Sequence, residues 1–251
     1  MTANTAVAEA GDVVSTKDNV SALSQASHGS IQGALKQLNE IILDKDHTMQ
    51  LAVTCLLAKG HLLLEDVPGT GKTVLAHALA GVFTLDYKRV QFTNDLLPAD
   101  ITGISIYDRD TSSFSFHKGP VFTQLLLADE INRATPKSQS ALLEAMEEFQ
   151  VSIEGETHPL PKPFFVIATQ NPLEQQGTYP LPEAQLDRFL MRLSLGYPSK
   201  DAELEILGGQ DRRQMLAELV GTMSVDELLN LQTQVDDVHV SIDLLNIFMR
   251  C

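Results

Sequence analysis

The sequence predicts an α/β fold with a parallel sheet, and three observations predict it. Short apolar runs recur along the chain with helical stretches between most of them. The first run, HLLLE at 61–65, enters a Pro-Gly loop and then the helical KTVLAHALAGVF. Later runs end in carboxylates or amides. A buried strand, a glycine loop and a helix in that order form the front of a parallel α/β unit.

Taken in order, residues 1–29 are rich in Ala, Ser, Thr and Asn without a sustained period, and a loose leader is expected there. From Ser30 the spacing of Ile31, Leu35, Leu38, Ile41 and Ile42 is helical. MQLAVTCLLAKG is a second helix, with Gly60 as its expected C-cap. Further strands are expected at Tyr87–Phe92, Leu125–Asp129, Phe164–Thr169 and Leu190–Leu195, giving five with the first. Two stretches alternate apolar and polar around a turn and read as β-hairpins, 104–117 and 150–161, the second turning near Gly155. Past Tyr197-Pro198 the pattern is helical again. The expected organisation is a leader (1–29), an α/β core with hairpin inserts (30–196) and the start of a small helical lid (197–251).

Composition narrows the function classes. The chain has 251 residues, enough for one α/β core and a small appendage, and a formal net charge of -15. Surfaces that hold nucleic-acid backbone are usually basic, so this balance argues against one. Cys55 lies in an apolar helical stretch and Cys251 at the end of the sequence, with no metal-type spacing. The N-terminus lacks the basic flank and apolar core of a signal peptide, and no apolar run is long enough to span a bilayer. A cytoplasmic protein without membrane insertion is expected.

The loop after the first strand reads Asp66-Val67-Pro68-Gly69-Thr70-Gly71-Lys72-Thr73. Backbone N–H groups must crowd around a phosphate chain, so the closest positions call for glycine, with a helix N-terminus behind them. In that pattern Lys72 reaches the outer phosphates and the Thr73 hydroxyl ligates Mg²⁺. Asp66 replaces the first glycine of the general G-x-x-x-x-G-K-[ST] pattern. LLLADE at 125–130 places Asp129 and Glu130 at the C-terminal end of a buried strand, where open α/β sheets bind ligands. Asp129 suits holding the magnesium through water, and Glu130 suits polarising the attacking water.

Two further residues carry alternatives. Asn171, ending the run FFVIATQN, either senses the γ-phosphate or opens a turn before Pro172; the sheet context favours sensing. Arg188 in QLDRFL either pairs with Asp187 or reaches a neighbouring subunit's phosphate, and local physics does not choose. The scattered histidines His61, His77, His117 and His158 have no metal-ligand spacing. Glu144, Glu147 and Glu148 read as a solvated helix face.

GHLLLEDVPGTGKT, LLLADEINRATPKSQSALLEAMEE and ATQNPLEQQGTYPLPEAQLDRFLM together resemble the Walker A, Walker B and sensor-1-to-finger segments of the MoxR group of AAA+ ATPases. The resemblance runs from roughly Leu35 to the end. It implies an AAA+ P-loop core with a five-stranded sheet in the order 5-1-4-3-2, the hairpins being the helix-2 insert and the hairpin before sensor 1. It further implies ATP and Mg²⁺ as ligands, held by Pro68, Gly69, Thr70, Gly71, Lys72, Thr73, Val74 and Asp129, with Thr73 and Asp129 on the metal. Glu130, Asn171 and Arg188 take the catalytic roles, Arg188 as a finger toward the next subunit of a hexameric ring. Aspartate at position 66 is an accepted variant in the group, and Asp44 stands where relatives often have glycine. The group's sensor-2 arginine stretch is not reached by residue 251, so a fragment or an incomplete lid is expected.

Members of the group are thought to act as chaperone-like remodellers beside von Willebrand factor A domain proteins, assisting maturation or cofactor insertion in client proteins. The alternatives are a nucleic-acid motor and an ATP-binding module without turnover. The first is opposed by hairpin tips carrying Asp108, Arg109 and Asp110, and Glu154, Gly155 and Glu156. Intact Asp129 and Glu130 oppose the second; the unreached sensor 2 favours it.

Overall fold

The computed structural model describes residues 14–109, 112–173, 176–208, 212–239 and 241–242. Helices α1 (Val14–Ile41) and α2 (Asp46–Leu57) precede strand β1 (Leu62–Glu65), which feeds the glycine loop and α3 (Lys72–Val82). Strand β2 (Tyr87–Gln91), the short α4 (Pro98–Thr102) and a hairpin of β3 (Gly103–Asp108) and β4 (Ser113–Lys118) follow. Next come β5 (Leu125–Asp129), a 3-10 turn over Ile131–Arg133, α5 (Pro136–Glu148) and a second hairpin, β6 (Gln150–Ile153) with β7 (Glu156–Pro159). Then β8 (Phe165–Gln170), α6 (Glu183–Leu186) and β9 (Met191–Leu193) lead to α7 (Lys200–Gly208), α8 (Arg212–Ala217) and α9 (Val225–Asp236).

The five expected strands form one parallel sheet in the order β2-β5-β8-β1-β9. Counted along the chain as strands one to five, this is 5-1-4-3-2, the order the resemblance implies. Both faces of the sheet are covered, which is why β5 reads as an unbroken apolar run with every residue buried. Alternation splits its side chains between two cores. Leu125 and Leu127 join Leu62, Leu64, Phe165 and Ile167 beneath α1, α2 and α3. Leu126 and Ala128 join Leu63, Val166 and Ala168 beneath α5. β1, β2, β5 and β8 close on Glu65, Gln91, Asp129 and Gln170, which the parallel register brings to one common edge.

Two expectations need correction. The helix expected from Ser30 begins at Val14, so part of the stretch read as a loose leader is helical. No proline interrupts Val14–Ile41, and a helix needs no apolar stripe along its whole length to continue. Residues 1–13 lie outside the described ones. The second helix ends with Lys59, not Gly60, in the left-handed conformation, at φ 56°. Lys59 N–H donates to the Leu56 carbonyl and Gly60 N–H to the Cys55 carbonyl, the paired bonds of a Schellman ending. Gly60 is required by crowding instead: a Cβ there would lie 2.4 Å from the side chain of Leu190.

The helices after β9 are tied to the core. Ser224 caps α9, accepting from the Glu227 N–H while its own N–H donates to the Glu227 carboxylate. Leu228 and Leu231 enter the core beside α2, and Gln232 Nε2 donates to the Leu56 carbonyl at 2.7 Å. The connection leaving β9 is also pinned, because Asp44 accepts from Ser199 N–H at 3.1 Å and Lys45 Nζ donates to the Tyr197 carbonyl at 3.0 Å. Asp44 holds φ 59°, a left-handed position that suits glycine and that aspartate tolerates better than most residues. Among the described residues no helix is long and apolar enough to cross a membrane.

Candidate nucleotide site

The loop between β1 and α3 is built to leave its backbone bare. Gly69 and Gly71 hold φ 88° and 92°, and a Cβ added at either would meet nothing within 4 Å. Left-handed φ at both positions favours glycine, and the open space above them gives a phosphate chain room to approach the N–H groups at the start of α3. Pro68 and Gly69 are exposed, Thr70, Gly71, Lys72 and Val74 half-buried, and Thr73 stands exposed on the first turn of α3. Thr70 Oγ1 donates to the Val67 carbonyl at 3.3 Å, and Lys72 Nζ folds back onto the Asp66 carbonyl at 2.7 Å. Burial lowers the Lys72 pKa, while the charges of Asp66, Asp129 and Glu130 pull it back up. The lysine thus lies within electrostatic reach of both carboxylates at the end of β5.

Asp66, the departure from the general pattern, has a structural explanation. Its buried carboxylate accepts from Ser194 Oγ at 2.8 Å, Leu195 N–H at 2.5 Å and Gly196 N–H at 3.1 Å. The residue whose carbonyl holds Lys72 therefore clasps, through its side chain, the segment that leaves β9 for α7.

Asp129 and Glu130 stand side by side in different settings. Asp129 is buried, with Oδ1 accepting from Thr169 Oγ1 at 2.5 Å and Oδ2 from Arg89 Nη2 at 2.6 Å. Glu130 turns out of the strand at φ 56°, an uncommon conformation for a non-glycine residue and one that clusters at functional sites. Its N–H donates to Thr169 Oγ1 at 2.9 Å, and its Oε2 accepts from Gln91 Nε2 at 2.9 Å and Arg133 Nη1 at 3.3 Å. Thr169, Gln91, Arg89 and Arg133 were not singled out by sequence reasoning. The sheet order held the signal: β2 lies beside β5 with Gln91 opposite Asp129, so polar residues on the last turns of β2 arrive at this edge.

Asn171 and Arg188 make other contacts. Asn171 Oδ1 accepts from Leu173 N–H at 3.2 Å, the turn-forming geometry weighed for it beside sensing. Arg188 pairs not with Asp187 but with α5, donating to the Leu143 carbonyl at 3.0 Å and to Glu147 at 2.7 Å. Glu144, Glu147 and Glu148 line the exposed face of that helix, as expected. His61 is buried and fully bonded: Nδ1 accepts from Val166 N–H at 3.1 Å and Nε2 donates to the Met146 carbonyl at 3.1 Å. Among the described residues no cluster of His, Cys, Asp and Glu forms a metal cage.

Residues 61–191 match the model of the ATPase family associated with various cellular activities (AAA). The chain is 50% identical over 212 residues to the uncharacterised protein YeaC of Bacillus subtilis, covering 84% of this chain and 66% of that protein. It is 46% identical to the chaperone MoxR1 of Mycobacterium tuberculosis over 81% of this chain and 53% of that protein, and 33% identical to the protein MoxR of Paracoccus denitrificans over 74% and 56%. The chain thus spans about half to two thirds of the length of these curated relatives. A solved structure of a candidate ATPase from Cytophaga hutchinsonii superposes with a TM-score of 0.82 at 37% identity, over 94% of this chain and 71% of that one. The family match, the relatives and the 5-1-4-3-2 sheet agree: the chain belongs to the MoxR group of the AAA+ ATPases.

Proposed function

We propose that this chain binds Mg-ATP at the loop of residues 66–73 and hydrolyses it, as the motor of a ring-forming, chaperone-like remodeller. The observation that carries the reading is the setting of Glu130. A carboxylate held in a left-handed turn by Thr169, Gln91 and Arg133, beside a lysine-bearing glycine loop, is an oriented general base. The glycines and the carboxylates fit the ligands: bare N–H groups and Lys72 for the phosphates, the Thr73 hydroxyl and Asp129 for the cation. Bound Mg²⁺ supplies charge neutralisation on the transferring phosphoryl group. On this chain, Lys72 leaves the Asp66 carbonyl to face the outer phosphates, and Glu130 aligns a water and takes its proton.

Arg188 is proposed as the group that acts in trans, releasing Glu147 and the Leu143 carbonyl to meet the γ-phosphate of the next subunit in a homo-hexamer. Asn171 is proposed to leave its local turn and orient the water. By kinship with the chaperone MoxR1, the work done is remodelling of a client protein toward maturation or cofactor insertion, beside a von Willebrand factor A domain partner in the cytoplasm. Nucleic acid is not the proposed substrate, since Glu154 and Glu156 at the second hairpin turn would repel phosphates.

Steady-state hydrolysis over a protein concentration series tests the shared site. Specific activity that rises with concentration, and collapses in Arg188→Ala at equal nucleotide affinity, supports it. Specific activity independent of concentration, or an Arg188→Ala variant as fast as the parent, sinks the trans role.

A further inference from the structure

Arg89 has no part in the proposed chemistry, yet it occupies one side of the carboxylate that chemistry depends on. Its Nη2 and Nε both donate to Asp129 Oδ2, at 2.6 and 3.2 Å, while Thr169 takes Oδ1. The two ends of the pair differ in exposure. The Asp129 side chain is 12% exposed and that of Arg89 46%. A carboxylate this buried is costly to take out of water unless a cation or hydrogen-bond donors face it. Arg89 meets that need from an edge strand, on a stem that can swing into solvent.

We infer that Arg89 is the resting counter-ion of Asp129, a positioning residue that holds the carboxylate in place until a divalent cation displaces it. This rests on the reading of Asp129 as the residue that faces the metal. A divalent cation facing Asp129 would repel the guanidinium, so the two would compete for the same carboxylate. The displacement would also be felt at Glu130. Arg89 Nη2 donates to Gln91 Oε1 at 3.0 Å, and the Gln91 amide nitrogen donates to Glu130 Oε2 at 2.9 Å. Withdrawal of Arg89 releases Gln91, so arrival of the metal at Asp129 loosens one of the bonds that restrain the base. Metal loading and readiness of Glu130 are then coupled through two side chains of β2.

The test is Mg²⁺-dependent binding of a fluorescent ATP analogue to the full chain, comparing the parent with Arg89→Met and Arg89→Lys. Arg89→Met should lower the Mg²⁺ concentration at half-saturation by about fivefold, the worth of a partly exposed hydrogen-bonded ion pair. Arg89→Lys, with one point charge in place of the two-donor fork, should fall between the two. An unchanged midpoint overturns the inference, and a raised midpoint overturns it in favour of a permanent brace. Should the methionine variant fail to fold, the lysine variant decides by the same direction of shift. A parent chain with no Mg²⁺-dependent binding at all refutes the reading of Asp129 itself; a parent that binds normally beside unmoved variants refutes only the role of Arg89.

Discussion

Replacing Asp66 with glycine would restore the commoner phosphate-loop pattern, yet the structure makes it a destabilising change. Three donors from the end of β9, Ser194 Oγ, Leu195 N–H and Gly196 N–H, converge on the Asp66 carboxylate within 3.1 Å, and the residue is 6% exposed. Asp66 is not among the residues with positive φ, so glycine relieves no backbone strain there. A hydrogen bond to a charged group contributes about 1.5–3 kcal/mol, and donors left buried without a partner each cost roughly 1–3 kcal/mol. The three bonds share one acceptor and do not add fully, so the expected loss is about 3–5 kcal/mol. In a chain of this size each kcal/mol moves the melting midpoint by about 2–4 °C, which puts the drop near ~10 °C. Asp66→Asn keeps one acceptor oxygen and should lose about half as much. Differential scanning calorimetry of both variants checks the ordering. A glycine variant melting within ~2 °C of the parent, or above it, would refute the clasp, since that shift corresponds to less than about 1 kcal/mol.

Three other outcomes follow from buried contacts. Thr169→Val leaves the Glu130 N–H and Asp129 Oδ1 without their shared hydroxyl, and urea unfolding should register a loss of about 1–3 kcal/mol, with hydrolysis falling further than nucleotide affinity. Gly60→Ala should cost about 1–3 kcal/mol by driving a methyl group into Leu190, whereas a thermal midpoint equal to the parent's would show that this contact relaxes freely. Burial holds the His61 pKa down to about 4 from 6.5. The neutral ring is the folded form, so this stability is fully present above pH 6.5 and is lost as the pH falls from 6.5 toward 4. Over that window His61 should account for about 3 kcal/mol of the decline in unfolding free energy, and a His61→Gln variant should show a correspondingly shallower slope.

The strands and the loop were legible in the sequence because local rules suffice for them. LLLAD declares a strand buried on both faces, and Gly69, Gly71, Lys72 and Thr73 sit at spacings that a phosphate chain demands. Contacts between strands were a different matter. Thr169, Arg89 and Gln91 reach Asp129 and Glu130 only because β8 and β2 flank β5, a fact of sheet order and register that no local window contains. The part Asp66 plays was out of reach for the same reason: its partners lie 128–130 residues further along the chain. Lys59 and Gly60 exchanged roles because the tertiary approach of Leu190, not the helix ending, demands the glycine. The helix Val14–Ile41 was legible only from Ser30 onward, because residues 14–29 carry no sustained apolar period to detect.

The most direct measurement is a paired assay of Mg-ATP binding and single-turnover hydrolysis in the parent chain, Lys72→Ala and Glu130→Gln. The account predicts that Lys72→Ala loses binding, while Glu130→Gln binds ATP as tightly as the parent and hydrolyses it at least about a hundredfold more slowly, the span expected for removal of a general base. A Glu130→Gln chain that turns ATP over within a few-fold of the parent would contradict the account.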